Sequence, residues 1–499
     1  MKPMVDVAII GAGFAGLGAA VRLKQRGGTS FVIFERAAEV GGTWRDNVYP
    51  GCACDIPSHL YSLSFAPNAS WSRMYSPQPE ILAYLKNVVD TYDLKPSIRY
   101  NSEIIRVEFS EEYGYWTLTD RAHRQTTARV VLAGIGPLNQ PSLPKIAGLE
   151  RFEGRQFHSG NWDSSYDLTA KRVAVIGTGA SSIQIVPAIA PVVKQLTVFQ
   201  RTAPWVAPRL DFAMSPRRQV LFRRVPLLRR AYRSAIYWLN ELRGLSFFGN
   251  ETLNKFGTQV SLRHINAQIQ DPELRRKVTP NYKLGCKRVL VSDDYYPALT
   301  RPNVELVTDG IVEVREHSIV DKAGVERSVD ALIFGTGFVA ADIFRELNIL
   351  GLGGRDLLAE WRLTGAQAHY GMTVSGYPNL LFLLGPNSGL GHNSIIHMIE
   401  SQLTYVISYL DWLKRASPNA YIDLKPEAQQ TYNEDIQQKL QTTVWASGCQ
   451  SWYQNAEGRN TTLWPGLTVT YRRATRRVNP TEYTLRQPSR VSTVESVAD

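Results

Sequence analysis

The chain has 499 residues, of which 44% are hydrophobic and 20% are charged. This length exceeds what one ordinary hydrophobic core holds, so two or three domains are expected. The net charge of +11 invites a nucleic-acid interpretation, but we find no zinc-ligand spacing, RNA-binding signature or DNA-binding motif, and we expect neither a metal nor a nucleic-acid partner. A basic surface also suits an enzyme whose cofactors carry phosphates.

The cellular compartment of the protein is predicted from the position of the first strand, the length of the apolar runs and the number of cysteines. The first predicted strand starts at residue 5, which leaves no room for a signal peptide, and no run of about 18 apolar residues predicts a transmembrane helix. Four cysteines, at positions 52, 54, 286 and 449, suit a reducing compartment and predict no disulfide framework. We therefore expect a cytoplasmic protein.

A dinucleotide-binding unit is predicted at residues 5–35. An apolar strand turns through Gly11, Gly13 and Gly16 into an Ala/Leu-rich helix, and a second apolar strand ends at Glu35. Gly11 permits the tight turn, Gly13 lets the backbone approach a pyrophosphate, and Gly16 lets helix and strand pack closely. Glu35 is expected to accept a hydrogen bond from a ribose hydroxyl.

A loop of glycine, aromatic and proline residues follows at 41–55. Its GGT opening resembles that of flavin-dependent disulfide reductases, but Trp44 stands where their redox cysteine would be, and Cys52 and Cys54 lack the spacing of a redox pair. We predict that these two cysteines are simply small buried residues. Strands are predicted at 104–110, 115–120 and 127–133, the last ending in a glycine turn.

A second dinucleotide unit is predicted where strand 173–176 runs into Gly177, Gly179 and Ser182. Ser182 stands in the third glycine position and is small enough for close packing. The next strand ends in Gln-Arg201-Thr202, where an NAD site would carry an acid. An arginine there suits a 2′-phosphate, which predicts NADPH, although a solvated strand-end arginine remains an alternative.

The segment 210–282 is predicted to be helical and basic, with seven arginines between Arg217 and Arg233. Such a stretch could lie on a membrane surface, but we prefer a solvated face of an inserted subdomain. After it, Lys287 and Arg288 begin a short strand and are candidates for a nucleotide site. A loop at 385–393, which contains Asn387, precedes a long helix whose start offers backbone N–H groups to an anion or a flavin carbonyl.

Two motifs carry a family resemblance. The segment Phe152-x-Gly154-x-x-x-His158-x-x-x-Trp162-Asp163 matches the fingerprint of Baeyer–Villiger monooxygenases at every fixed position. The loop Gly41-Gly42-x-Trp44 to Asp55 matches their second signature. Two dinucleotide motifs in the order FAD then NADPH are similar to the flavin-containing monooxygenase superfamily, whose N- and S-oxygenating members usually lack the Trp-Asp ending.

The resemblance implies roles for several residues. Lys287 looks like the lysine that meets the NADP 2′-phosphate, Arg288 like the arginine that faces the flavin, and Asp55 like the carboxylate that steadies this arginine. An ordinary ion pair between loops is the alternative for the last two. Trp452 matches more loosely a tryptophan near the nicotinamide, and the remaining implied cofactor contacts are Gly42, Thr43, Trp44 and Asn387.

The resemblance also implies a reaction. An α/β enzyme would use FAD, NADPH and oxygen to insert one oxygen atom beside a ketone carbonyl through a C4a-peroxyflavin, forming an ester or lactone. An N- or S-oxygenase is the first alternative, with a sulfide as the other candidate substrate. A flavoprotein that only oxidises NADPH or senses redox state is the second.

The expected architecture is α/β with two dinucleotide-binding Rossmann-like domains and a helical insertion in the NADP domain. The predicted order is an FAD-binding first segment (1–145), an NADP-binding first segment (146–209), the helical insertion (210–282), an NADP-binding second segment (283–338), an FAD-binding second segment (339–483) and a disordered tail (484–499). Glycine turns at Gly134 and Gly335, where the family commonly has alanine, mark the two expected crossings between the domains.

Overall fold

The computed structural model describes residues 3–339, 347–417, 419–449, 451–455 and 457–489. Its α-helices span Phe14–Arg26, Thr43–Asp46, Gln78–Thr91, Ser182–Ile189, Pro216–Arg224, Pro226–Gly244, Glu251–Gln268, Pro272–Val278, Tyr295–Leu299, Leu357–Thr364, Ile395–Arg415, Pro426–Gln441 and Thr468–Ala474. The predicted helical segment at 210–282 is present. The predicted mixed α/β class is confirmed.

The first sheet contains the N-terminal strand at its centre. Its strands run in the order Asn348–Leu350, Ile104–Ser110, Tyr115–Asp120, Gln125–Ala133, Val5–Ile10, Phe31–Phe34 and Ile98–Arg99, with Leu380–Phe382 also pairing the fourth of these. The central strand is parallel to both neighbours, with Ile9 opposite Ile33 and Leu132. Burial on both faces explains its continuous apolar sequence.

The second sheet is built from the middle of the chain. Its five strands run in the order Val304–Val307, Gln195–Phe199, Arg172–Ile176, Ala331–Phe334 and Arg155–His158, and all are parallel. A three-stranded antiparallel sheet, Ile311–Arg315, Ser318–Asp321 and Glu326–Ser328, adjoins it in sequence. The chain thus leaves the first sheet after residue 133, completes the second by residue 334, and returns at residue 348.

The two connections between the sheets lie side by side. Pro141 and Phe338 form an antiparallel bridge. The Ser142 amide donates to the Gly337 carbonyl at 2.9 Å, and the Val339 amide donates to the Gln140 carbonyl at the same distance. The outward and return connections therefore form one short antiparallel ribbon.

The helical insertion is closed by a small pair of strands. Val206–Ala207 pairs in parallel with Leu290–Val291, so the chain leaves and rejoins the second unit at one place. The solvent-facing side of helix Pro226–Gly244 is apolar, with Leu227 74% and Leu242 59% exposed. The preferred prediction for this basic stretch was a solvated face of an inserted subdomain, and the part of that face on this helix is largely apolar. Within the described residues, no helix is long and apolar enough to cross a membrane.

Two predictions are wrong. Cys286 and Cys449 are joined in a disulfide, because the chain brings two cysteines 163 residues apart to a Cα separation of 6.2 Å; the cysteine count therefore no longer argues for a reducing compartment. Cys52 and Cys54 are free and buried, as predicted. The tail does not begin at residue 484, because Tyr483–Arg486 is a strand that pairs with Tyr421–Leu424. Residues 490–499 lie outside the described part.

Candidate active site

The first glycine turn is shaped so that side chains cannot be accommodated. Gly11 has φ +97°, and a Cβ there would lie 2.7 Å from the Gly134 carbonyl oxygen. A Cβ on Gly16 would lie 1.8 Å from the Gly11 carbonyl oxygen. The backbones of Gly13 and Gly42 lie close together, since a Cβ on Gly42 would come 3.3 Å from the Gly13 Cα. The absence of both side chains leaves a backbone-lined cradle at the helix start.

Glu35 lies at the end of the second strand beside this cradle and is only 4% exposed. Its Oε2 accepts from the Ala12 amide at 2.9 Å, and its Oε1 accepts from the Ala37 amide at 3.0 Å and from Arg45 Nη1 at 2.7 Å. The carboxylate is therefore fixed in orientation. Sequence reasoning missed Arg45, although it lies inside the 41–55 signature.

Thr43 and Trp44 begin the short helix that follows Gly42. The Trp44 side chain is buried, and its indole N–H donates to the Tyr61 hydroxyl at 3.1 Å. The two rings meet edge-on with centroids 5.6 Å apart. Trp44 thus packs as part of the wall next to the cradle, in the place where disulfide reductases have a redox cysteine.

The second glycine turn contains a compensating pair of residues. Gly177 has φ +103°, and a Cβ there would lie 2.6 Å from the Gly335 carbonyl oxygen. A Cβ on Gly335 would lie 1.8 Å from the Ser182 hydroxyl oxygen. Ser182 is fully buried and its hydroxyl has no hydrogen-bond partner among the described residues. The hydroxymethyl group at 182 therefore takes up the space that an alanine side chain at 335 would need.

Two cations, Arg201 and Lys287, lie near the end of strand Gln195–Phe199 in the second unit. Partial burial, together with the positive charge of Arg201, lowers the pKa of Lys287. The Lys287 ammonium lies 5.1 Å from the centroid of the Tyr282 ring. The backbone carbonyl of Thr202 accepts from the Thr178 hydroxyl at 3.3 Å. Within the described chain, neither cation forms an ion pair with a carboxylate, so two uncompensated positive charges face the same region.

Arg288 and Asp55 form an ion pair between the loop of the first unit and the segment after the helical insertion. Arg288 donates from Nε at 3.1 Å and from Nη2 at 2.5 Å, both to Oδ2 of Asp55. The charge of Asp55 outweighs burial and raises the pKa of Arg288. The guanidinium is thus positive at every working pH, and the use of only two of its five N–H groups leaves three for another acceptor.

The structure distinguishes Trp452 from its neighbour Tyr453. Trp452 is 43% exposed, whereas Tyr453 is 1% exposed and its hydroxyl has no partner among the described residues. Burial raises the pKa of Tyr453 to about 12, against an opposing effect of the nearby Arg288 charge. The loop that carries both aromatic residues is attached to the Arg288 segment by the disulfide from Cys286 to Cys449. The sequence analysis missed Tyr453. The one sequence signal for it was that Cys286 and Cys449 lie close in sequence to Arg288 and Tyr453, respectively.

Gln184 connects the two nucleotide units and was also missed. Its amide nitrogen donates to the Ala53 carbonyl at 3.0 Å, and its amide oxygen accepts from the Tyr49 hydroxyl at 3.1 Å. Gly51 has φ +80°, and a Cβ there would lie 2.6 Å from the Gln184 carbonyl oxygen. The Tyr-Pro-Gly part of the 41–55 signature is therefore a docking surface for the helix of the second unit.

His158 lies where the second sheet meets the return connection. Its Nδ1 accepts from the Gly160 amide at 3.0 Å, and its ring packs edge-on against Phe338 with centroids 5.3 Å apart. Burial lowers its pKa. Phe157 in turn packs edge-on against Trp162 at 4.8 Å. The Phe152–Asp163 motif thus braces the crossing between the sheets.

The donors of Asn387, an implied cofactor contact, are engaged within the protein. Its side-chain amide donates to the carbonyls of Asn460 and Leu463 at 2.9 and 3.1 Å. Its backbone amide donates to the Thr461 carbonyl at 2.9 Å. The helix that follows is capped by Ser394, whose hydroxyl accepts from the Ile396 amide at 3.3 Å. This loop is therefore held to the C-terminal segment by its own donors.

The comparisons with known proteins agree with this geometry. Residues 4–352 match the flavin-binding monooxygenase-like family. A Baeyer–Villiger monooxygenase of Streptomyces coelicolor is 48% identical over 486 residues, covering 97% of this chain and 93% of the relative. One of Pseudomonas aeruginosa is 49% identical over 481 residues, covering 96% and 91%. The chain belongs to the Baeyer–Villiger monooxygenases of this flavin-binding family.

Solved structures of similar monooxygenases share the fold. Cyclohexanone monooxygenase from Rhodococcus sp. Phi1 bound to NADP+ matches with a TM-score of 0.86 at 27% identity, covering 97% of this chain and 99% of that one. Oxidized steroid monooxygenase bound to NADP also matches at 0.86, with 30% identity, covering 96% and 99%. The predicted two-unit fold and the predicted class of flavin-dependent NADPH monooxygenase are confirmed.

The residues of this Baeyer–Villiger monooxygenase fit two dinucleotides. The cradle between Gly13 and Gly42 exposes backbone to a ligand at a helix start, where the helix dipole favours a phosphate. Arg201 and Lys287 form a second anion-compatible point, outside the other glycine turn. The described residues contain no group of three or more His, Cys, Asp or Glu side chains that could hold a metal.

Proposed function

We propose that this monooxygenase uses FAD, NADPH and oxygen to insert one oxygen atom next to the carbonyl of a small ketone, giving an ester or lactone. The observation that supports this best is the partly buried Arg288–Asp55 ion pair between the two nucleotide units. When bound, NADPH supplies a hydride and the flavin activates oxygen. The protein must bind and orient both cofactors and stabilise the negative charge that develops on oxygen.

The first unit is proposed to hold FAD. Gly11, Gly13 and Gly16 would let the pyrophosphate approach the helix that begins at Phe14. Glu35 would accept from a ribose hydroxyl with lone pairs that its bonds to Ala12, Ala37 and Arg45 do not use. Gly42, Thr43 and Trp44 would line the same ligand, and the buried Trp44 ring would exclude water from it.

The second unit, residues 146–209 and 283–338, is proposed to hold NADPH. Gly177, Gly179 and Ser182 would receive its pyrophosphate. A 2′-phosphate between Arg201 and Lys287 would offset the repulsion between these two cations, which adds to burial in lowering the pKa of Lys287. The Thr202 backbone lies at the same strand end. NADH lacks this phosphate and would leave the repulsion in place.

Arg288 is proposed as the catalytic cation and Asp55 as its positioning residue. A guanidinium with a raised pKa keeps its charge throughout the reaction, and it stabilises negative charge on oxygen more strongly in a dry site than in water. Asp55 binds the Nε and Nη2 side of the guanidinium, which fixes the direction of the remaining donors. Tyr453, buried beside this charge, would exclude water.

One experiment tests the proposal directly. Purified holoenzyme is mixed with NADPH and a panel of cyclic, linear and aromatic ketones, with matched sulfides and amines, and the products are identified by mass spectrometry. We expect oxygen-dependent NADPH consumption with formation of esters or lactones. Sulfoxides or N-oxides without any ester would replace the proposal by the alternative oxygenase, and NADPH oxidation without any oxygenated product would reject both.

A further inference from the structure

The helical insertion carries a continuous apolar stripe that faces solvent. Along helix Pro226–Gly244 the stripe is formed by Leu227, Ala231, Ala235, Trp238 and Leu242, at spacings of four, four, three and four residues. All five are exposed, Leu227 by 74% and Trp238 by 52%. Because a helix turns once every 3.6 residues and rises 1.5 Å per residue, this spacing puts them on one face about 22 Å long. Leu228 and Leu239 widen the same face.

The opposite face of this helix anchors it to the body of the enzyme. Its Tyr232 packs against His59, and so does Phe222 of the preceding helix. Arg233 donates to the His59 carbonyl at 2.6 Å and the Ser62 carbonyl at 2.9 Å. Glu241 is 2% exposed and accepts from Asn393 at 2.7 Å. The helix is therefore held firmly with its apolar side outward.

The charge around the stripe has one sign. Residues 212–240 contain seven arginines and no aspartate or glutamate. Except for Arg233, these arginines form no ion pair with a carboxylate anywhere in the described ranges; they are Arg217, Arg218, Arg223, Arg224, Arg229 and Arg230. An apolar face beside unneutralised arginines matches an interface in which hydrocarbon lies next to a layer of negative charge.

We propose that this surface, the apolar stripe with the arginines at its N-terminal end, docks the enzyme on an anionic lipid bilayer, with the helix lying parallel to the membrane plane. Leucine side chains enter the acyl boundary, Trp238 lies at the headgroup level, and the arginines meet lipid phosphates. A second copy of the chain fits less well, because it would bring the same unpaired arginines and no exposed carboxylate from residues 212–240. The inference does not depend on which substrate is oxygenated.

Vesicle flotation of the full-length holoenzyme tests the proposal. Vesicles of phosphatidylcholine with one quarter phosphatidylglycerol are compared with vesicles of phosphatidylcholine alone, at low salt and at high salt. We expect binding to the anionic vesicles that weakens with salt, since salt screens exposed charges. The variant R224Q/R230Q should bind about 25-fold more weakly, given about fivefold for each arginine near an anionic surface.

A second variant tests the apolar part. L227E/W238E should lose at least about tenfold in binding, because carboxylates replace a leucine that enters the acyl boundary and the tryptophan at the headgroup level. Its matched control is L363E, which changes a leucine that is 88% exposed on a different helix and should bind like the parent. NADPH oxidation should be unchanged in all variants, because no changed residue belongs to the proposed site.

Three results would overturn the proposal. The first is no flotation of the parent with anionic vesicles. The second is equal flotation of L227E/W238E and the parent. The third is light scattering that shows a dimeric parent and a monomeric L227E/W238E variant, without vesicle binding, which would assign the stripe to a second copy of the chain.

Discussion

Replacing Arg288 by alanine removes the charge proposed to stabilise the reacting oxygen. Two of its N–H groups bind Asp55, so up to three are available to the reaction. Removal of a preorganised donor of this kind costs about 100- to 1000-fold in rate, or about 3–4 kcal/mol. Folding should suffer far less, by about 1 kcal/mol, because the Asp55 side chain is 27% exposed and water can solvate it.

The assay measures NADPH consumption, hydrogen peroxide release and ester formation in parallel. R288A should keep FAD, still oxidise NADPH, release hydrogen peroxide and form almost no ester. R288K should recover little, because a point charge cannot bind Asp55 through two fixed N–H groups. D55N should show a milder loss, since the arginine stays charged but is less well oriented.

The matched control is R172A. Arg172 forms an ion pair with Asp330 at 2.6 Å, with side-chain exposures of 40% and 30% that resemble those of the Arg288 pair. Its loss should leave the ratio of ester to NADPH unchanged. Ester formation by R288A at close to the parent rate, or an equal loss in R172A, would refute the catalytic role.

Three further predictions concern cofactor choice, packing and pH. The variant R201A/K287A should raise the KM for NADPH much more than that for NADH, because only NADPH has the phosphate that these cations meet; equal KM values in the parent would contradict this. G335A should destabilise the protein by about 1–3 kcal/mol through overpacking against Ser182. Adding S182G to G335A should restore the denaturation midpoint. If the two substitutions instead destabilise additively, Ser182 does not occupy the space that a side chain at 335 needs. Burial is the main cause that lowers the pKa values of His59, His369 and His397 to about 4, so these groups stay neutral in the fold while the unfolded chain takes up protons below about pH 6.5. Each neutral histidine therefore costs the fold nothing above pH 6.5 and destabilises it by up to about 3 kcal/mol as the pH falls towards 4. H59Q should flatten the dependence of the urea midpoint on pH. An unchanged dependence in H59Q would contradict the role of His59.

The local units were predictable from the sequence because their signals are short-range. The turn at Gly11 and the turn at Gly177 each follow an apolar strand and open a helix, so spacing alone predicts them. The pairing of Arg288 with Asp55 crosses 233 residues and was predicted only through family resemblance.

Other parts of the site depend on tertiary contacts that spacing does not encode. The burial of Tyr453 rather than Trp452 is set by how the C-terminal loop packs, and the Cys286–Cys449 bond by where that loop ends. The donors of Asn387 are used by a segment more than 70 residues away. Leu227 faces solvent because the other face of its helix packs against the body of the enzyme, and the periodicity of the helix alone does not predict which face is outward.

The antiparallel ribbon between the two sheets brings the two ends of the middle of the chain together. Since Ser142 bonds directly to Gly337, the first and last residues of the segment between them meet in space, although about two hundred residues separate them in sequence. A segment whose ends meet can be replaced through two adjacent splice points, if the replacement keeps the contacts that join it to its host, among them the Arg288–Asp55 ion pair and the Cys286–Cys449 disulfide. The nucleotide specificity of such an oxygenase could then be exchanged as a single cassette, by transplanting one insert at two adjacent splice points rather than by rebuilding the flavin scaffold around it.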